Sequence, residues 1–296
     1  MGLDCWVVNA LRYSVAPVFW LPFIIARRRR NRPDSGGFGA FSDLSVRSPI
    51  WVAAIVPAAI NLVTQVVWGL VGKYAEAGMI GFAAKLAFPF TVVYSFLLFP
   101  DERRLAKMSA FWIGGSGSLI GLALLSAEKI GGYGGGGTTA FGYSLLLFMA
   151  VSWGGYPVTV KKYMSGYSSV LSFWVVSVYT TMFLMFLMFL FGDFSTFHVM
   201  DLRAWAILIG SSLIGIAFWH VLYYRSLKDV GAVVSDGVLM ASPFLTIAGS
   251  AVLLGERLTA LQFVGGVAVV GAGILLVVAH GRVTNHRTIP DVAEGR

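Results

Sequence analysis

The sequence predicts an all-α, polytopic membrane protein built from two inverted repeats of a helical bundle. Three observations predict this fold class. Of the 296 residues, 57% are hydrophobic and only 12% are charged, whereas a soluble domain carries about 25% charged residues. The hydrophobic residues form long apolar runs. A pattern of prolines, glycines and charged residues in the first half of the chain also recurs 154 residues later.

Nine apolar runs are long enough to cross a bilayer as helices, which takes about 20 residues each. Runs of this length exclude a transmembrane barrel, whose strands have about ten residues. Open sheets are excluded because their edges cannot be hydrogen-bonded in lipid. The predicted spans are approximately 5–26, 50–71, 78–99, 109–127, 139–160, 169–191, 204–224, 232–254 and 260–280.

The distribution of Lys and Arg predicts the orientation of these helices. If the first span ends in the cytoplasm, the segments on that side carry 16 basic residues and those on the other side carry four. Cytoplasmic loops are enriched in Lys and Arg, so the tail at 281–296 is predicted to be cytoplasmic. This topology accounts for the net charge of +8, and no nucleic-acid partner is predicted.

The sequence gives little support for catalysis. Its single cysteine, Cys5, excludes an intrachain disulfide and a Cys-rich metal site. Neither an HExxH motif nor a P-loop is present, and Asp236 is the only acidic residue well inside a span, so a two-aspartate protease lacks a partner. We therefore predict no enzyme, no catalytic residue, no metal and no cofactor. Nothing in the sequence indicates an oligomeric state.

A shift of 154 residues relates the two halves of the chain, as expected for an internal duplication. Matching spans run in opposite directions through the membrane, so the repeats are inverted. The shift places Pro89 on Pro243, Phe90 on Phe244, Glu102 on Glu256, Arg103 on Arg257 and Gly117 on Gly271.

The predicted domains follow this duplication. The first repeat, 1–127, holds four helices; a Gly-rich linker occupies 128–138; and the second repeat, 139–280, holds five. The partner of the helix at 139–160 would precede Met1, so we interpret the sequence as a ten-helix arrangement without its first helix. A truncated gene model, a start-site error and a genuine nine-helix form fit this pattern equally.

Two segments carry a resemblance to a known family. The stretch "YYRSLKDVGAVVSDGVLMASPFLTIAGSAVLLGERLTALQFVGGVAVVGAGILLVV" resembles the C-terminal half of an EamA-type repeat of the drug/metabolite transporter superfamily. Its features are a proline midway in the ninth helix of the usual ten, a Gly-Glu at that helix's end and a Gly-rich last helix. The stretch "NALRYSVAPVFWLPFIIARRRR" resembles that family's second helix.

The resemblance implies ten helices in two inverted five-helix bundles around a central cavity. It also implies a secondary transporter or exchanger of small organic metabolites that works by alternating access, with membrane lipid and the metabolite as its partners. Related families exchange nucleotide-sugars or sugar phosphates, which is one alternative. A second alternative is a non-transporting scaffold or fragment. In the family the first helix forms part of the cavity wall, and this is the helix that the sequence is interpreted to lack.

Four ionisable residues lie within predicted spans: Arg12, Lys85, His220 and Asp236. Each costs about 2.5–3.5 kcal/mol at mid-helix on insertion scales, which favours positions facing an interior or a wet cavity. We expect these residues to line the cavity, with His220 and Asp236 as a possible proton-coupling pair. The alternatives are snorkelling of Arg12, a structural hydrogen bond of His220 and a helix-start role for Asp236.

Polar and aromatic residues on two spans complete the predicted cavity. Asn61, Gln65 and Trp68 follow one another at helical spacing and form a stripe, and Trp153 and Tyr156 lie together on a later span. These side chains suit an amphipathic metabolite. Interhelical hydrogen bonds and interfacial aromatic belts explain them equally well.

The remaining predictions concern helix geometry. Pro89 and Pro243 are predicted to kink their helices and to act as hinges. Glu102 and Glu256 are predicted to mark polar turns, each carboxylate capping a helix start, where negative charge is favourable by about 0.3–1 kcal/mol. The glycines on the last helix of each repeat are predicted to form packing faces. They are Gly114, Gly115, Gly117, Gly121, Gly265, Gly266, Gly271 and Gly273.

Overall fold

The computed structural model describes residues 3–30, 49–75, 77–131, 138–254 and 259–285. Within these ranges the chain is helical, with no strand, and nine helical spans are long and apolar enough to cross a membrane. The predicted all-α polytopic fold is therefore confirmed. Glu256, most of the Gly-rich linker and the end of the C-terminal tail lie outside the described residues.

The described helices follow the predicted spans closely. They are α1 (Cys5–Arg30), α2 (Pro49–Val71), α3 (Ala77–Lys85), α4 (Ala87–Leu98), α5 (Pro100–Arg103), α6 (Ser109–Gly131), α7 (Ala140–Met164), α8 (Ser169–Phe191), α9 (Thr196–Val199), α10 (Leu202–Ser212), α11 (Trp219–Asp229), α12 (Ala232–Leu239), α13 (Ser242–Leu254) and α14 (Ala260–Asn285). A 3₁₀ turn, Arg104–Lys107, follows α5, and a π-helical turn, Leu213–Phe218, joins α10 to α11.

Two of the spans are interrupted close to the prolines that were predicted to kink them. The third span breaks after α3, which ends at Lys85, and the eighth breaks after α12, which ends at Leu239. Each of these residues stands four positions before a proline, Pro89 or Pro243. Proline supplies no N–H to the carbonyl four residues earlier, and its ring clashes with that carbonyl. Both prolines stand instead in the first turn of the next helix, where no N–H is needed.

The chain divides into two compact units. Unit 1 comprises residues 1–71 and 155–229, and unit 2 comprises residues 72–154 and 230–296. The division falls within α7, between Gly154 and Gly155.

In unit 1, α1 and α8 pack against each other in opposite directions. Trp174 of α8 donates to the carbonyl of Pro17 in α1, and Thr181, later in α8, donates to the carbonyl of Tyr13, earlier in α1. Pro17 has no N–H to offer the Tyr13 carbonyl four residues before it. The Thr181 hydroxyl supplies the missing donor, as neighbouring helices commonly do for prolines in membrane helices.

In unit 2, α6 and α14 cross in opposite directions at close range. A Cβ built on Gly121 of α6 would lie 2.7 Å from the carbonyl oxygen of Gly265 in α14, and the reverse distance is also 2.7 Å. Near the other end of the contact, a Cβ on Gly114 would lie 2.9 Å from the carbonyl oxygen of Ala272. These glycines therefore form the packing face. Gly271 differs, since no heavy atom of the described residues lies within 4 Å of its Cβ position.

Each compact unit contains equivalent helices from both sequence repeats. Unit 1 pairs α1 with α8 and α2 with α10 and α11, whereas unit 2 pairs α3 and α4 with α12 and α13, and α6 with α14. The repeats 1–127 and 139–280 stay a prediction from the sequence, and the compact units divide the chain at other positions. Helices in lipid gain little from hydrophobic burial, so the fit of their small residues decides which helices pack together.

Candidate functional site

The two interrupted spans of unit 2 bring together a lysine, a threonine and an aspartate. Lys85 is the last residue of α3, Thr91 lies in the second turn of α4, and Asp236 lies in α12. The Thr91 hydroxyl lies 2.6 Å from an Oδ atom of Asp236, as in a charge-assisted hydrogen bond. Burial disfavours a charge on the Lys85 amino group, and the negative charge of the same carboxylate opposes that effect. Thr91 and Asp236 are buried, whereas Lys85 is partly exposed.

A glycine of α7 allows this arrangement to form. A Cβ on Gly154 would lie 2.7 Å from the carbonyl oxygen of Ala87 and 2.9 Å from the backbone nitrogen of Thr91. No larger residue fits there without displacing α4. The Gly154 carbonyl lies 3.2 Å from the Thr91 hydroxyl, so the start of α4 is held between α7 and α12.

Glu102 fixes the start of α12. Its carboxylate accepts hydrogen bonds from the backbone N–H groups of Ala232 and Val233, at 3.0 and 3.2 Å, and its side chain is buried. The carboxylate thus caps the start of a helix 130 residues further along the chain. Sequence spacing could not identify this partner because the contact forms only when distant helices pack.

Replacing Glu102 with alanine is expected to destabilise the folded protein by about 2 kcal/mol. Two buried N–H groups would lose a charged acceptor at a helix start. Thermal unfolding in detergent measures the change. Asp101→Ala, which removes an exposed carboxylate from the same short helix, is the control and should cost much less. Equal melting temperatures for the two variants would contradict the capping role.

Unit 1 holds a second group of buried polar residues. The Tyr13 hydroxyl lies 3.5 Å from Oδ1 of Asn61, and the Asn61 amide donates to the hydroxyl of Thr180 at 3.0 Å. The Thr180 hydroxyl in turn donates a hydrogen bond to the carbonyl of Val176, one turn earlier in α8. The chain of donors thus links α1, α2 and α8, and Asn61 serves here in an interhelical hydrogen bond.

Two tyrosines form a further buried contact in unit 1. The hydroxyl oxygens of Tyr156 and Tyr224 lie 2.7 Å apart, and both residues are at most 1% exposed. Phe173 meets the Tyr224 ring edge-on at 5.8 Å. The sequence predicted that Tyr156 lines the cavity. In unit 1 its hydroxyl forms a hydrogen bond with the hydroxyl of Tyr224, and the cavity position stays a prediction.

His220 follows the π-helical turn and is almost fully enclosed. Its Nδ1 lies 3.0 Å from the carbonyl oxygen of Ile216, and its ring stacks on Phe173 at 4.9 Å. The Trp20 indole donates to the next carbonyl of the turn, that of Ala217. His220 lies in unit 1 and Asp236 in unit 2, and their pairing stays a prediction.

The other predicted residues differ in exposure. Gln65 is buried, and its backbone carbonyl accepts a hydrogen bond from the Asn9 amide. Trp68 is 43% exposed, and its place on the predicted polar stripe of α2 stays a prediction. Trp153 is partly buried in unit 2. The buried Nε of Arg12 has no hydrogen-bond partner among the described residues.

Sequence reasoning missed several residues that the structure places at these sites. Thr91 and Ser95 lie one turn apart on α4 and are completely buried, and the Ser95 hydroxyl has no hydrogen-bond partner in the described part of the chain. Thr91 and Ser95 follow Pro89 by two and six residues. Because Pro89 matches Pro243 in the repeat, this position could have identified them as candidate site residues. Tyr13, Phe173 and Tyr224 gave no such signal, because aromatic residues occur throughout the apolar runs.

Comparisons with known proteins agree with this fold. Residues 140–279 match the model of a family described as the EamA-like transporter family. Of 28 matching solved chains, one, described as a crystal structure of a protein, superposes with a TM-score of 0.73 at 18% identity. That match covers 95% of this chain and 90% of the other; at this identity it shows a shared fold alone. The sequence matches none of the curated proteins with which it was compared.

Proposed function

Since residues 140–279 belong to the EamA-like transporter family, we propose that this protein is a secondary transporter that moves small organic metabolites by alternating access. The family places the chain among the transporters of the drug/metabolite superfamily and implies a small-molecule substrate and a membrane location. The transport cycle, the kind of metabolite and the residues that bind it are our proposal.

One observation carries the proposal: a buried carboxylate, hydrogen-bonded to Thr91 beside two interrupted helices, acts electrostatically on a lysine. Charged residues inside a membrane protein commonly mark a substrate or ion path. Breaks in membrane helices expose backbone groups that can bind a ligand and allow the two parts of a span to move. Lys85 and Asp236 are ionisable residues within spans, and together with Thr91 they lie beside the two helix breaks. Pro89 and Pro243, which set the breaks, are the proposed hinges.

The charges at this site favour a zwitterionic ligand over a phosphate ester. The site offers one amino group, that of Lys85, and one carboxylate, that of Asp236, whose charge acts on it. A zwitterion can replace both halves of this pair without leaving a net charge out of water, which would be costly. A doubly charged phosphate would need additional cations. We therefore place the nucleotide-sugar and sugar-phosphate alternatives second.

The purified protein can test this function in two steps. A thermal-shift screen in detergent would compare amino acids, other zwitterions, sugar phosphates, nucleotide-sugars and hydrophobic drugs. We expect at least one zwitterion to raise the melting temperature, because a ligand that binds the folded state stabilises it. Uptake of that compound into proteoliposomes should then be saturable. Protein-free liposomes give the background, and uptake equal to this background for every stabilising compound would contradict transport.

We also propose that the C-terminal tail faces the cytoplasm, because 16 basic residues fall on the side predicted to be inside and four on the other. A fluorescent protein that folds only in the cytoplasm, fused after Arg296, should fluoresce in cells. A phosphatase that folds only after export, fused at the same point, should be inactive. The reverse pair of results would invert the proposed topology.

A further inference from the structure

The buried imidazole of His220 holds a hydrogen-bond acceptor that no described residue satisfies. Nδ1 faces the carbonyl of Ile216 at 3.0 Å, and a carbonyl can only accept, so Nδ1 carries the hydrogen and Nε2 of the neutral ring carries a lone pair. Nε2 has no hydrogen-bond partner among the described residues, although His220 is only 4% exposed. Buried polar atoms are nearly always paired in native proteins, so an unpaired one indicates a partner of another kind.

Aromatic rings contact the imidazole that carries this acceptor. Phe173 stacks on the imidazole, with an interplanar angle of 16°, and Trp219 meets it edge-on at 4.7 Å. The Tyr13 ring lies further away, at 6.5 Å, and its hydroxyl is directed to Asn61. The surroundings therefore offer apolar ring surface and leave the lone pair of Nε2 as a polar group free to receive a donor.

The charged groups of unit 1 favour a neutral donor. The Tyr13 ring lies 6.5 Å from the imidazole, and Phe173, which stacks on the imidazole, also contacts Tyr224. Both phenols are uncharged groups. A protonated imidazole or a cationic ligand would lack a carboxylate of unit 1, because the acidic residues that the structure describes there lie at helix ends. These are Asp4, Asp193, Asp201 and Asp229.

We propose that Nε2 of His220 accepts a hydrogen bond from an uncharged N–H or O–H group carried on an aromatic ring of the transported molecule. The inference rests on the proposed transport function and adds to it a recognition site in unit 1 that is separate from the Lys85 and Asp236 pair. His220 thereby discriminates between a ligand that carries the donor and one of the same shape without it. It does so as a neutral acceptor and not as a carrier of protons.

Phenol and anisole are the probes, because they share a ring and differ in the O–H donor. The full-length protein, labelled with ¹⁵N-histidine in detergent micelles, should show a change of the Nε2 resonance with phenol and none with anisole. The spectrum of His220→Asn assigns the resonance, since His198, His280 and His286 remain in that variant.

Two substitutions distinguish the role of Nε2 as a hydrogen-bond acceptor from the role of the His220 side chain in packing. His220→Asn keeps a donor near the position of Nδ1 but has no acceptor at Nε2, whereas His220→Gln places an amide near Nε2. We expect phenol to bind about tenfold more weakly to His220→Asn, as for one lost hydrogen bond. Binding to His220→Gln should stay within about threefold of the original. Melting temperatures verify that both variants are folded.

Three results would overturn this assignment. They are an Nε2 resonance that neither probe changes, one that both probes change equally, and a ring that carries hydrogens on both nitrogens at neutral pH. The uptake assay and the Lys85 and Asp236 variants test transport separately. Transport that is retained while neither probe affects Nε2 would overturn the role of His220 alone. A phenol effect on Nε2 without any transport would overturn the transport function and leave His220 as a binding site only.

Discussion

Replacing Lys85 with alanine, or Asp236 with asparagine, is expected to abolish uptake of the zwitterion identified in the thermal-shift screen. Each change removes one of two opposite charges that act on each other. The loss of stability should be smaller than the about 3–5 kcal/mol of a broken buried pair, because the partly exposed Lys85 is screened by its surroundings. Asparagine keeps an oxygen for the Thr91 hydroxyl, so Asp236→Asn tests the charge and not the hydrogen bond.

The double variant, Lys85→Ala with Asp236→Asn, distinguishes a structural pair from a binding pair. With both charges removed, no unpaired charge is left, and thermal stability should recover towards that of the original protein. Uptake should not recover, because the groups that bind the substrate are gone. Uptake in proteoliposomes and melting temperature measure the two effects. A double variant that transports normally would remove this pair from the site.

An exposed pair provides the matched control. Arg225 and Asp229 form an ion pair at 3.5 Å, with side chains that are 76% and 63% exposed. Exposed pairs contribute about 0–1 kcal/mol, so Asp229→Asn should leave both uptake and melting temperature nearly unchanged. A comparable loss in this control would mean that any change in charge disturbs the protein.

Replacing Gly265 with leucine is expected to prevent the stable folding of unit 2. Even the first carbon of a side chain would lie 2.7 Å from the carbonyl oxygen of Gly121 and 2.8 Å from the backbone nitrogen of Leu125. Both are backbone atoms, so the clash can be relieved only by moving α6 away from α14. Overpacking typically costs about 1–3 kcal/mol, which is the effect we expect for Gly265→Ala, and leucine adds three further carbons.

Gly271 on the same helix is the control for this prediction. Its Cβ position has no described heavy atom within 4 Å, so alanine fits there without displacement. Alanine favours a helix over glycine by about 1 kcal/mol, and Gly271→Ala should therefore melt at the same or a higher temperature. Size-exclusion chromatography and thermal unfolding in detergent compare the variants. A Gly265→Leu protein as stable as Gly271→Ala would exclude close packing at this crossing.

The candidate sites were only partly predictable, and Glu102, Lys85 and His220 illustrate why. An ionisable residue within an apolar run is conspicuous in any sequence, so Lys85, His220 and Asp236 could be selected without a structure. Their partners could not, because a hydroxyl such as that of Thr91 is common in membrane helices and gains significance only beside a carboxylate. Glu102 was assigned the correct kind of interaction, but its partner helix follows from packing.

The sequence by itself determined the number of spans, their helical nature and the duplication. These depend on local properties: hydrophobicity over about 20 residues, the absence of an N–H in proline and the recurrence of residues 154 positions apart. Only the tertiary structure decided that each compact unit combines helices of both repeats. It also decided that Thr91 bonds to Asp236 and that Glu102 caps the start of α12. The physical reason is that apolar helix surfaces resemble one another in lipid. Partners are therefore chosen by the fit of small residues and a few buried hydrogen bonds, which depend on three-dimensional shape and not on order along the chain.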